Sequence, residues 1–502
     1  MEIFKTASVF LETPALLYLF LGYSIGFFFG AVPGLTATLA ISLLLPLTFS
    51  MAPVTALVTC VGIFVGGIYG GSVTGTLINI PGAPASAITT MEAYKLTRKG
   101  QAARAMGQGA FASMIGGFIG ALLTLFLLGP IAELSLYFRT PDKFSLVLMA
   151  VVVAMLLNGE SLLKGVIATG LGLMMGSVGL DYFSSAPRLT FGLATLTQGI
   201  QLLTVVVGTF AVSEILTQLN VRSLVTIDDS AGIGKARMKD FLPPKADLRQ
   251  IGPINYLRST LIGFVTGILP GAGASMASLM AYSVAKTCSK RRDEYGEGSI
   301  EGIAASEAAN NAMCPGAIIP MMLFGIPGDS VTAIILGVFT IHGLIPGPLL
   351  LIERLDLLGP MLLAMLVTPV LIFFTAVLFG RHYLRILKIR KSFLYPFIAM
   401  AALVGLYAAT YSVFQMVMTL CIGFAVYVLK NEGYPSVPFL LGFILGPLME
   451  TFFRSSLSIS SGDLTVFLTS PFSLAFLIIS ALFLFIMGIY LPRKMETARR
   501  SF

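Results

Sequence analysis

Between Thr13 and Met91 the chain carries no Asp, Glu, Lys, Arg or His. A soluble domain would need a solvated face somewhere in such a run, whereas a bilayer needs about 20 apolar residues per helical crossing. The stretch is therefore expected to lie in a membrane. Two Pro-Gly steps interrupt it, Val32-Pro33-Gly34 and Ile80-Pro81-Gly82. Non-helical backbone at membrane depth is tolerated only where it packs in protein or lines a cavity, so both breaks mark a candidate transport site.

Composition fixes the class. Of 502 residues, 56% are hydrophobic and 11% charged. Further uncharged runs at 105–132, 259–285, 361–380 and 392–429 far exceed the roughly 9 to 11 residues of a barrel strand. The expected fold is an all-α polytopic membrane protein with about 12 crossings or hairpin arms. The high content of glycine (52) and proline (26) suits close-packed and broken helices. Cys60, Cys288, Cys314 and Cys421 show no CxxC or metal-ligand spacing and read as core residues or free thiols. Met1-Glu2-Ile3-Phe4-Lys5 lacks the basic start of a signal peptide, so the first hydrophobic segment is expected to be retained.

The net charge of +8 would suit nucleic acid only if the basic residues formed a patch. Instead, segments 95–104, 222–258, 286–292, 381–391 and 493–500 hold 24 of the 32 Lys and Arg residues. Placed together on the cytoplasmic side, these loops fix the direction of every helix between them. The stretch 222–255 reads as a cytoplasmic linker between a first transmembrane repeat, 1–221, and a second, 256–463; residues 464–502 form a last helix and a basic tail.

The two halves echo each other. Leu269-Pro270-Gly271-Ala272-Gly273 matches Val32-Pro33-Gly34-Leu35-Thr36, and Ile326-Pro327-Gly328 matches Ile80-Pro81-Gly82. Equivalent loops differ in charge, so the repeats are expected to be inverted. The segments holding Pro33 and Pro270 then enter and leave by the same face as re-entrant hairpins. The helices that follow cross, broken at Pro81 and Pro327. One hairpin and one broken helix per repeat is an elevator-like layout.

The chemistry expected at the breaks is anion binding. A helix restarting after Pro-Gly offers unpaired N–H groups and the positive end of its dipole. Hydroxyls and amides gather nearby: Thr36, Thr38, Ser72, Thr74, Asn79, Ser86, Ser275, Ser278, Ser330 and Thr332. The candidate substrate-binding set is Pro33, Gly34, Thr36, Thr38, Ser72, Thr74, Asn79, Pro81, Gly82, Pro270, Gly271, Gly273, Ser275, Pro327, Gly328 and Ser330. Freed carbonyls at the breaks would also suit Na⁺. Glu307, Asn310, Asn311 and Asp329 form the candidate ion-coupling set, because acids at membrane depth are costly unless paired or functional. Helix capping fits Asp329 equally well. Glu92, close to Lys95, is expected at the membrane interface. The Gly22, Gly26, Gly30 ladder reads as helix packing.

No phosphate-loop or nucleophile motif is present, His342 and His382 are isolated, and no catalytic residue, metal site or cofactor is expected. The signature from Gly30 to Thr38, with Gly66-Gly67-Ile68-Tyr69-Gly70-Gly71-Ser72, Asn79 to Pro84, Glu307-Ala308-Ala309-Asn310-Asn311 and Phe324 to Gly328, resembles the large membrane subunit of the tripartite tricarboxylate transporter family. The resemblance implies a bacterial inner-membrane secondary transporter importing an organic di- or tricarboxylate. It further implies a Na⁺ or H⁺ gradient as the driving force, a periplasmic solute-binding protein and a small membrane subunit as partners, and no nucleic acid. The alternatives are a cation/proton antiporter, or an ion channel without organic substrate.

Overall fold

The computed structural model describes residues 6–12, 14–157, 161–220, 233–387 and 391–490. Residues 222–232 of the linker and the basic stretch 493–500 lie outside these. Among the described residues the only strands are the two-residue pair Gly179–Leu180 (β1) and Pro187–Arg188 (β2), so the protein is all-α, as its composition requires. Among the described residues, eight helices are long and apolar enough to cross a membrane.

The opening stretch folds as a helical hairpin, α1 (Ala15–Ala31) and α2 (Ala37–Thr48), followed by the long α3 (Pro53–Ile78). The turn between the hairpin arms is forced by Val32 in an extended conformation and Gly34 at φ +86; Thr36 then caps α2, accepting from Leu39 N at 3.2 Å. The glycine ladder does pack helices. A Cβ on Gly22, Gly26 or Gly30 would lie 2.3, 2.3 or 2.2 Å from the carbonyl oxygens of Thr59, Ile63 and Gly67. Ascending numbers on both sides make α1 and α3 parallel. Helix α3 ends on Asn79 in a left-handed conformation (φ 56), and after Pro81-Gly82 the chain restarts as α4 (Ala87–Arg98). Gly82 N donates to Gly71 O at 3.1 Å, and its absent Cβ would stand 2.2 Å from Gly30 O.

The second half repeats this arrangement with α9 (Lys245–Ile268), α10 (Gly273–Cys288), α11 (Ile300–Phe324) and α12 (Ser330–Ile341). Gly263 and Gly267 press on the carbonyls of Ala309 and Met313, with a Cβ 2.1 and 2.4 Å away. Gly328 fits against Gly267 O and Ala317, with a Cβ 2.8 and 2.7 Å away. Gly30 and Gly267 each stand three residues before their hairpin proline, and each receives the glycine of the later Ile-Pro-Gly break. Helix α9 begins inside the stretch read as linker, with a kink at Gly252 (φ 68) before Pro253. The preceding short turn buries Phe241 against Gly107 and Gly380.

Two further helices complete this body: α5 (Ala102–Ser135) and α13 (Leu355–Phe379). Gly116 of α5 lies on Ala308, where a Cβ would stand 2.0 Å from its carbonyl oxygen. The remaining helices form a flanking wall. They are α6 (Thr140–Leu157), α7 (Leu162–Gly176), and α8, made of Leu202–Val206, the π turn Val207–Val212 and Ser213–Asn220. Then follow α14 (Lys391–Thr410), α15 (Val413–Asn431), α16 (Ser436–Ile459) and α17 (Pro471–Phe485). Within the wall, Gly172 and Gly442 join α7 to α16, and Gly208 and Gly423 join α8 to α15. Phe126, Val404 and Phe424 stand exposed on the outer faces, as lipid contact requires.

Candidate transport site

Glu307, in the first half of α11, is fully buried. Its Oε1 accepts from Ser72 Oγ and Thr89 Oγ1, both at 2.5 Å, and from Asn310 Nδ2 at 3.3 Å; Oε2 accepts from Ser113 Oγ at 2.8 Å. Helices α3, α4, α5 and α11 thus converge on one carboxylate. The surrounding shell is oxygen-rich. Asn311 Nδ2 donates to Ser113 Oγ (2.9 Å) and Asn310 Oδ1 (2.6 Å), and Thr89 meets Ser306 at 2.9 Å. Asn311 Oδ1 has no hydrogen-bond partner among the described residues. All four groups bonded to Glu307 are neutral. An ionised carboxylate buried without a countercharge costs on the order of several kcal/mol, which a bound proton or metal cation would offset.

Ser72 therefore points to Glu307, where the sequence had grouped it with the substrate donors. Asn310 and Asn311 stand beside Glu307 as expected. Thr89, Ser113 and Ser306 escaped sequence reasoning. The available signal was their position as small hydroxyls inside glycine- and alanine-rich membrane helices, a pattern shared by many packing residues.

The residues at the breaks divide into two cross-unit contacts and several local ones. Thr38 Oγ1 meets Ser330 Oγ at 3.0 Å, bringing the returning arm of the first hairpin to the restart of α12. Reciprocally, Ser278 Oγ donates to Ala85 O at 3.0 Å, bringing the second hairpin to the restart before α4. Thr74 Oγ1 donates to Ala31 O at 2.7 Å, pinning the hairpin neck, and Ser86 Oγ bonds within its own turn to Ala83 O at 2.7 Å. Gly271 N donates to Gly328 O at 2.9 Å, so Pro270-Gly271 and Pro327-Gly328 are in direct contact. Asn79, Pro81 and Ser275 present exposed side chains; Pro33 and Pro270 are buried, and Gly34 and Gly273 are half-buried. Asp329 caps α12, its Oδ1 accepting from Thr332 N (2.8 Å) and Thr332 Oγ1 (2.7 Å), and it shares no hydrogen bond with the Glu307 group.

Glu92 is enclosed by protein on every side. It is fully buried, with Oε1 accepting from Tyr282 OH and Gly296 N (2.6 Å each) and Oε2 from Gly298 N and Ser299 N (2.8 Å each). Three backbone donors and a phenol satisfy the carboxylate, so it ties α4 to α10 and to the loop before α11. On that loop the Lys95 ammonium, 2.8 Å away, holds the Glu297 carboxyl below its ordinary range. Burial, with the neighbouring Glu301 carboxylate, pushes the Tyr295 phenol upward.

An all-helical, multi-pass membrane protein with paired helix breaks and a buried, hydroxyl-lined carboxylate has the features of a membrane transport protein. Comparison with known families makes this specific. The family described as "Tripartite tricarboxylate transporter TctA family" matches residues 16–441, and the chain belongs to that family. Its description, a tripartite transporter, implies further subunits. An uncharacterized 52.8 kDa protein of the TAR-I ttuC' 3' region of Agrobacterium vitis is 34% identical over 482 residues, covering 95% of this chain and 94% of the relative. A second uncharacterized protein, of the TAR-II ttuC' 3' region in the same organism, is 36% identical over 215 residues, covering 43% of this chain and 89% of that protein. No solved structure matches the chain.

Proposed function

We propose that this chain is the large membrane subunit of a secondary transporter that imports an organic di- or tricarboxylate across the bacterial inner membrane. A Na⁺ or H⁺ gradient drives the uptake, a periplasmic solute-binding protein delivers the substrate, and a small membrane subunit completes the complex. The observation that carries the reading is Glu307, buried among neutral donors where four helices meet. Binding a coupling cation there neutralises the carboxylate, which gives the gradient a physical point of entry. Asn310 and Asn311 supply oxygen ligands beside it.

The substrate anion is assigned to the restarts of α2, α10 and α12, where Thr36, Thr38, Ser275 and Ser330 stand beside helix N-termini. The repeats 1–221 and 256–463 act as an inverted pair joined by the linker 222–255, and they exchange roles as access alternates.

The test is uptake by vesicles containing both membrane subunits, with and without the binding protein, under imposed Na⁺ or pH gradients. Carboxylate accumulation that requires both the gradient and the binding protein is expected. Cation flux with no carboxylate movement would establish the antiporter instead, and flux that never saturates would establish a channel.

A further inference from the structure

The broken-helix body and its flanking wall are joined differently from the helices inside either one. Inside each, glycines bring backbone onto backbone. Across the boundary, Gly405 faces the Pro46 ring (3.1 Å from a Cβ), Gly337 faces the Leu202 side chain (3.5 Å) and Gly34 faces the Gln218 side chain (2.3 Å), while Gly271, at a hairpin tip, meets the backbone of Ala154 (2.8 Å). Side-chain contacts and a single contact at a hairpin tip can be exchanged one set for another, whereas helices interlocked along rows of glycines cannot slide past each other.

The two hairpin tips sit unequally on this wall. The first tip, at Gly34, is seated on Gln218 of α8, whose amide oxygen accepts from Tyr395 OH of α14 at 3.3 Å. The equivalent place in the second half is recognisable. Phe144 lies near the start of α6 as Tyr395 lies near the start of α14, and it packs on Phe453 of α16 with ring centroids 5.2 Å apart. The surroundings correspond too, with Arg454, the neighbour of Phe453, in the place of Gln218. Glu214 bonds Gln218 one turn on (2.9 Å) and pairs with Lys430 (2.6 Å); Glu450 bonds Arg454 one turn on (2.9 Å) and pairs with Arg188 (2.8 Å).

The second tip is elsewhere. A Cβ on Gly271 would meet Ala154 at 2.8 Å, ten residues beyond Phe144 on α6. Ten residues beyond Tyr395 on α14 stands Gly405, which faces Pro46 on the far arm of the first hairpin. Beside the Phe144–Phe453 pair the two bodies part, leaving a cleft of about 90 Å³ between Lys143, Val147 and Phe452 on the wall and Phe324, Ile326 and Pro346 on the broken-helix body.

We propose that the Phe144–Phe453 pair is a second seat, occupied by the Pro270-Gly271 tip when the broken-helix body stands at the opposite end of its travel. In that state Gly271 leaves Ala154 for Phe144, and Gly34 leaves Gln218 and Tyr395 for the level of Gly405. Both shifts run along ten residues of helix, about 15 Å, and in the same direction. The positive-inside orientation puts Gln218 near the cytoplasm, so the structure holds the cytoplasmic end position. Phe144 and Phe453 are positioning residues for transport. The inference rests on the import reading only for the cargo that the moving body carries.

The test follows one tip cysteine against two wall positions. Ala272→Cys is paired with Ala154→Cys or with Lys143→Cys, which lines the cleft beside the intact Phe144–Phe453 pair, in protein whose four native cysteines are replaced by alanine, and bridging by mercuric ion is read on denaturing gels. The first pair is expected to bridge in resting protein. Bridging of the second should rise about tenfold when substrate and gradient are supplied, as a minor state grows from about 1% to about 10%. A second pair that never bridges in transporting vesicles overturns the seat and leaves import standing; vesicles that bridge both pairs but accumulate no carboxylate overturn import and leave the seat. Should the cysteine pairs fail to fold, spin labels at Lys290 and Glu432 read the same shift, and a single unchanging distance under all conditions overturns the proposal.

Discussion

Replacing Glu307 by glutamine separates the coupling role of this carboxylate from its structural one. The amide keeps the shape, its oxygen still accepts from Ser72, Thr89 and Asn310, and Ser113 can turn its hydroxyl to accept from the new N–H. The expected folding cost is about 1 kcal/mol, that of one rearranged hydrogen bond. The coupling cost is total. At zero membrane potential, one monovalent cation moving down a tenfold gradient supplies about 1.4 kcal/mol, enough to accumulate substrate about tenfold. Glu307→Gln vesicles should therefore equilibrate carboxylate to a ratio of about 1 and lose the response to the gradient. By contrast, Glu307→Ala leaves up to four donors unpaired at about 1–3 kcal/mol each and should fail to fold. The assay is radiolabelled uptake in vesicles clamped at zero potential, with thermal unfolding of the same preparations as the control. Unaltered, gradient-dependent accumulation by a stably folded Glu307→Gln protein would refute the assignment.

Gly82→Ala and Gly328→Ala place a methyl 2.2 Å from Gly30 O and 2.8 Å from Gly267 O, and each should lower stability by about 2 kcal/mol or more and abolish uptake. Gly129→Ala, with nothing within 4 Å, serves as the silent control in the same thermal assay. Thr38→Val and Ser330→Ala should raise the KM for substrate several-fold with ion dependence retained, whereas Ser72→Ala should move the ion dependence and leave substrate KM unchanged; initial-rate uptake at varied substrate and cation separates the two. Glu92→Ala leaves three backbone N–H groups and the Tyr282 hydroxyl without their acceptor, so a loss of about 3 kcal/mol or more is expected in chemical unfolding of detergent-solubilised protein.

Much of the architecture was legible because the membrane narrows the choices. Uncharged runs and Pro-Gly breaks located the hairpins at Gly34 and Gly271, and the repeated Ile-Pro-Gly motif paired them with the breaks at Gly82 and Gly328. What the sequence could not fix was which polar groups face each other across helices. Ser72 and Glu307 are 235 residues apart and meet directly, yet Ser72 has the same local setting as a hydroxyl free to bind substrate. Glu92 shows the opposite difficulty. A carboxylate beside Lys95 gives no sign of full burial until the glycine-rich turn at Gly296 and Gly298, far along the chain, folds its N–H groups over it. The start of α9 lay inside the stretch read as linker, because Gly252, outside helical geometry at φ 68, separates a short helical segment beginning at Lys245 from the rest of the helix.

Helix α11 bears on how this protein is made. Every residue from Ile300 to Leu323 is buried, so the helix has no face to offer lipid, and it carries Glu301, Glu307, Asn310 and Asn311. It is not among the eight segments that length and apolarity mark as spans. Left alone in a bilayer during synthesis, it would be poorly retained. Its receptacle of α3, α4 and α5 is translated more than 160 residues earlier and must wait, with Ser72, Thr89 and Ser113 already in place. Membrane insertion of α11 should therefore fail whenever that receptacle is grossly disrupted.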